Sequence, residues 1–146
     1  MEITSMHWMT HLFLGAALLT LCIFIHVFGL IAISRVAFHE EVNRRREQSI
    51  LFATSTLALT ALAAAALFFV QALLWSGLYL HFGAINRVEY AISFSIGVFT
   101  TYGNSGVVIG SPWVLLSEIQ AVNGVMAFGI TTAFLFNLAR RLQPRS

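Results

Sequence analysis

The sequence has no lysine and no aspartate; its eight basic residues are all arginine and its six acidic residues all glutamate. Charged residues make up 10% of the 146 positions, where a soluble domain carries about a quarter. Without lysine, no glycine-rich phosphate loop can end in its usual cation. Without aspartate, and with no serine at helical spacing from a histidine and an acid, no hydrolytic constellation is visible. No enzyme is expected, and no cofactor. The net charge of +2 comes from short loops rather than from a basic face, so the chain has no cluster able to neutralise a run of phosphates. Nucleic acid is therefore excluded as a partner. The single cysteine, Cys22, lies in an apolar stretch and can form no intrachain disulfide, which makes it a buried, inert thiol.

What the chain has in abundance is apolar surface, 58% of its residues, and this marks an integral membrane protein whose partner is the lipid bilayer. Cleavage of a signal peptide is not expected, because residues 1–9 carry Glu2 but no arginine and the following apolar run is too long. That run, Leu12 to Ser34, exceeds the roughly 20 helical residues a hydrocarbon core requires. A second helix is predicted from Ser49 to His81, with an alanine-rich middle, Ala61 to Ala66, that lets a neighbour approach closely. Trp75, Tyr79 and His81 near its end suit an interfacial belt. A third helix is predicted from Ser111 to Leu138, with Ser111 as its cap and Pro112 in its first position. Arg44, Arg45 and Arg46 lie in the charged run HEEVNRRREQ, residues 39–48, and Arg140, Arg141 and Arg145 follow the third helix. The positive-inside bias holds both groups in the cytoplasm, so three crossings of the cell (inner) membrane leave the N-terminus outside.

Between the second and third helices lies RVEYAISFSIGVF, residues 87–99, too short an apolar segment to cross a bilayer. It is either interfacial or re-entrant. If it dips into the membrane, the stretch after it, FTTYGNSG at residues 99–106, must carry non-helical backbone that is buried in protein or lines water. Carbonyl oxygens facing an axis can replace the water shell of a cation. Gly103 and Gly106 supply torsion angles that aim successive carbonyls the same way, and Thr101 adds a hydroxyl. One strip makes one wall; a closed ring requires symmetric copies.

This order of helix, short helix, threonine-rich strip, Ser-Pro-Trp and glycine-containing helix resembles the pore module of the tetrameric potassium-channel superfamily, in particular its small bacterial two-helix type. The resemblance runs from Leu51 to Arg141 and is carried by FSIGVFTT, residues 94–101, and SPWVLLSEIQAVNGVMAFGITTAFLF, residues 111–136. It implies an all-α integral membrane protein with three transmembrane helices, a re-entrant pore helix and filter loop, assembled as a homotetramer. Residues 1–48 would then be an additional helix with an arginine-rich cytoplasmic loop, and residues 49–146 the pore domain. The implied activity is passive conduction of monovalent cations, potassium and sodium. The filter would be Thr101, Tyr102, Gly103, Asn104 and Ser105, with Thr100 behind it; Phe94, Phe99 and Trp113 would pack as a cuff, and Glu118 would bond the back of the pore loop. Gly124 stands about where the family places a hinge, and Gly129 offers a second bending point, although both suit helix packing equally well.

The filter departs from the family's Thr-Val-Gly-Tyr-Gly by keeping the first glycine and losing the second, which points to weak selectivity. A second register aligns Tyr102-Gly103-Asn104 with the family's Tyr-Gly-Asp but puts Thr101 where a glycine is needed, and β-branched residues adopt such backbone poorly. The first register is preferred on that ground. No arginine ladder marks the first helix as a voltage sensor. Two rival readings are weaker. His11 and His26 could ligate haems only with partners from a facing helix, and only His81 stands near another span. A small non-conducting membrane subunit or transporter component is the main alternative, but the first and third helices share no repeat pattern of the kind transporters show.

Overall fold

The computed structural model describes residues 3–43, 50–103 and 106–142. These residues form four α-helices and no strand: α1 (Ile3–Asn43), α2 (Ile50–His81), α3 (Val88–Phe99) and α4 (Val114–Leu142). Three of them, over Met9–Val36, Ile50–His81 and Val114–Leu142, are long and apolar enough to cross a membrane. Their outer faces carry Phe13, Phe28, Leu59, Leu62 and Phe69 in exposed positions. Contiguous apolar surface on this scale is costly in water and ordinary in lipid.

Helix α1 extends beyond the expected apolar run at both ends, passing through Arg35 and into the charged segment as far as Asn43. Neither proline nor glycine follows Gly29 in this helix, and its polar continuation needs no burial to stay helical. Arg44, Arg45, Arg46 and Arg145 lie outside the described residues. At the other end of the bundle α4 starts later than expected. Ser111 and Pro112 belong to a turn closed by Trp113 N donating to Gly110 O at 3.0 Å, and Trp113 O accepts the first helical bond, from Ser117 N at 3.2 Å.

Helix α4 packs against α1, α2 and α3; α2 also packs against α1 and α3, and α1 does not reach α3. Small residues set these distances. A side chain at Gly15 would press on Leu116 and Ile119, and one at Gly29 would press on Leu67. The core joins Cys22 of α1, Trp75 and Tyr79 of α2, Ala91, Phe94 and Phe99 of α3, and Leu116 and Ala127 of α4. Trp75 and Tyr79 are fully buried, which corrects the interfacial-belt expectation for both. They turn inward because α3 covers that face of α2, and the Tyr79 ring meets Phe94 edge-on at 5.3 Å.

A tight turn after α2, with Ala84 N donating to Tyr79 O at 2.9 Å and Gly83 at φ 69°, sends the chain back toward the bundle. Helix α3 then starts at Arg87, whose extended backbone provides no side-chain cap. Glu89 in the first turn complements the helix dipole and pairs with the Arg87 guanidinium, which also lies over the Tyr90 ring at 4.7 Å.

Candidate functional site

With 12 residues, α3 is about 18 Å long at the helical rise. Its last residue, Phe99, packs beside Gly124, ten positions into α4 and so about 15 Å from that helix's start. The Phe99 ring also meets Phe68 at 5.8 Å, in the middle of α2. The end of α3 thus lies about a third of the way along α4 and beside the middle of α2.

Gly124 makes this seat possible. A Cβ there would overlap the Phe99 carbonyl oxygen and come within 2.8 Å of its carbon. Of the two readings of this glycine, packing is the one its surroundings support, and α4 passes through it without a break. Gly129 has no neighbour within 4 Å of where a Cβ would stand.

From Thr100 the chain turns back along the end of α3. Thr100 N donates to Ile96 O at 2.9 Å, Thr101 N to Val98 O at 3.0 Å and Gly103 N to Gly97 O at 3.0 Å. Thr100 Oγ1 donates to Ile96 O at 2.8 Å, and Thr101 Oγ1 to Thr100 O at 2.7 Å. The sign of φ alternates along the strip: −86° at Thr100, +58° at Thr101, not positive at Tyr102, and +72° at Gly103. Residues of alternating hand turn successive peptide N–H groups to one side. Thr100, Thr101, Tyr102 and Gly103 are all exposed. Asn104 and Ser105 lie outside the described residues. Thr101 itself takes up the left-handed region that its branched side chain disfavours, so the steric objection to the second filter register does not hold here, and sterics do not choose between the two. Strain of this kind persists where surrounding structure fixes it and is concentrated at functional sites.

The support behind α3 comes from residues to which the sequence reading gave no such role. Tyr79 Oη donates to Gln120 Oε1 at 2.9 Å, and Gln120 Nε2 donates to Ser95 O at 3.0 Å, all fully buried. Glu118 was expected to make this bond. It lies two residues earlier, about 200° around the helix, is exposed, and makes no hydrogen bond among the described residues. The three aromatic residues expected to form one cuff instead pack separately: Phe94 on Tyr79, Phe99 on Phe68, and Trp113 on His11 at 4.6 Å and Phe82 at 5.8 Å. They pin α3 and the start of α4 to the surrounding helices. Replacing Gln120 with leucine would orphan the buried Tyr79 hydroxyl and cut the link to the Ser95 carbonyl, which keeps its helical bond. A loss of about 2 kcal/mol is expected, read as a lower melting temperature in detergent, with Glu118→Gln unchanged.

Deeper in the bundle a second polar cluster ties three helices. Gln71 Nε2 donates to His26 Nδ1 at 2.8 Å and to Leu67 O at 3.2 Å, which leaves the His26 Nε2–H to donate to Thr131 Oγ1 at 2.8 Å. Both ring nitrogens of His26 are thereby engaged, and neither is open to an axial iron. The signal for both clusters was in the sequence: Gln71, Trp75 and Tyr79 share one face of α2, and Gln120, Asn123 and Thr131 one face of α4. Polar residues in an apolar helix at such spacing face the protein interior.

Two surfaces of the bundle are uncovered. On α3, a groove of about 530 Å3 runs along Ile92, Ser93, Ile96, Gly97 and Thr100 to Tyr102. On α4, Glu118, Val122, Val125, Gly129, Thr132 and Phe136 form a continuous exposed stripe on the face turned from the other helices. No family model, curated protein or solved structure matches the chain.

Proposed function

We propose that this chain is the subunit of a tetrameric pore-loop channel that conducts monovalent cations, with α3 as its re-entrant pore helix and residues 101–105 as its filter. One observation carries the reading: a helix too short to span ends beside the middle of α2 and about a third of the way along α4, and is followed by an exposed strip of alternating φ sign. Such irregular backbone at membrane depth is tolerated only against protein or water. Four copies set around an axis would cover the α3 grooves and turn the strips toward a shared path.

Charge and shape favour a cation there. The C-terminal end of α3 directs the negative end of its dipole at the strip, and main-chain carbonyls replace hydration oxygens. The α4 stripe would line the path below, with Gly129 as its available bending point. Arg44, Arg45 and Arg46, which follow α1 in the sequence, and Arg140 and Arg141 at the end of α4 would lie in the cytoplasm, following the positive-inside bias. In the register that pairs Gly103 with the family's first glycine, serine replaces the second, which would alter the outer ion sites and weaken the rejection of sodium.

The test is flux in liposomes containing only the purified protein. Potassium and sodium uptake of comparable size is expected, with reversal potentials that shift little when one ion replaces the other. Absence of flux from protein shown to be folded and tetrameric would favour a non-conducting subunit. A strong potassium preference would keep the channel and overturn the weak selectivity.

A further inference from the structure

Below the His26 to Thr131 contact, α1 and α4 separate and leave a groove of about 480 Å3. Its walls are apolar: Val27, Leu30 and Ile31 on α1 face Ile130, Phe134 and Leu138 on α4. Polar residues enter only at one end, where Ser34 meets Asn137 and Arg141. From Ile130 to Arg141 the groove follows twelve residues of α4, about 16 Å at the helical rise, close to one leaflet's half of a hydrocarbon core about 30 Å thick.

We propose that this groove holds one acyl chain of an anionic glycerophospholipid, with the headgroup phosphate at Arg141. The apolar length matches a chain lying along the helices, and the polar end matches a phosphate at the interface. The charged side chains described at that end, Arg35, Arg140 and Arg141, are cations; Glu40 and Glu41 stand five and six residues beyond Arg35 in α1, past the residues that line the groove. Arg141 has another partner as well, but a guanidinium presents five N–H donors and a fork that fits phosphate oxygens. Basic pockets between transmembrane helices are a recurrent setting for anionic headgroups. A zwitterionic lipid brings its own cation beside Arg141, which disfavours it. The site depends on α1, and it gives that helix a role in lipid recognition beside α4.

Native mass spectrometry of the full-length protein, titrated with phosphatidylglycerol or phosphatidylcholine of the same chains, tests the assignment. Wild type should retain phosphatidylglycerol preferentially. Arg141→Gln should lower that preference about fivefold, the size expected for one arginine at an anionic surface. Ile130→Trp, which fills the apolar part, should lower retention of both lipids while the helical content by circular dichroism stays unchanged. Equal retention of the two lipids by wild type would overturn the proposal, as would a phosphatidylglycerol preference that both variants leave intact. Disulfide cross-linking of Ile31→Cys between copies in bilayers would overturn it in another way, by showing that a second copy fills the groove. Retention is measured without any ion flux, so its failure would leave the conduction proposal standing.

Discussion

Gly124→Ala should unseat the tip of α3 and destabilise the folded protein by about 3 kcal/mol, the upper part of the range for overpacking a well-filled core. The size follows from what the new methyl group meets. It would strike the backbone carbonyl of Phe99 rather than the end of a flexible side chain. That carbonyl cannot rotate aside, because the same segment is held by Gln120 at Ser95 and by the Phe99 ring against Phe68. Thermal unfolding in detergent reads the loss. The paired control is Gly129→Ala, where the methyl has open space and removal of a mid-helix glycine stabilises by up to about 1 kcal/mol. The two alanines should therefore shift the melting temperature in opposite directions. Equal melting of Gly124→Ala and wild type would mean that α3 does not approach α4 this closely.

The second large effect is expected at Gly103. Its φ of +72° is a conformation that an L-residue reaches at a cost of about 1–2 kcal/mol. In the proposed ring of four the cost recurs in every copy, about 4–8 kcal/mol per assembly, because the strips share one path. Gly103→Ala should therefore reduce cation flux in liposomes by orders of magnitude while leaving the helices folded, as the strip lies outside every helix. Chemical synthesis of the strip offers a sharper comparison. D-alanine at position 103 adds the same methyl but prefers positive φ, so it should retain flux that L-alanine loses. If both enantiomers abolish flux alike, bulk at that position matters and backbone hand does not.

The spans were legible because apolar run length is a one-dimensional property, and α2 and α3 begin and end within a residue of where the sequence placed them. The boundaries that shifted were those decided by chemistry other than hydropathy. Helix α1 runs on through Arg35 because nothing in 36–43 breaks a helix, and α4 waits until Val114 because Ser111 and Pro112 are held in a turn. The site was less legible than the spans. The strip announced itself by its glycines and threonines, yet its support was assigned to Glu118, a charge, when the neutral Gln120 makes the bond. Charge draws attention in an apolar sequence, but the helical face decides which side chain turns inward. Trp75 and Tyr79 were read from their position near a helix end, when the deciding fact was that α3 returns to cover them.

The seat of Phe99 against α4 has a mechanical consequence. Only a residue without a side chain can pass that carbonyl, and its neighbours, Asn123 and Val125, both carry one. Twisting α4 about its own axis would drive one or the other into the obstacle, so at this level the helix is locked against rotation. Movement of its lower half then has to come from flexing beyond the lock, where Gly129 is the first unobstructed position, and not from turning the helix as a rigid rod.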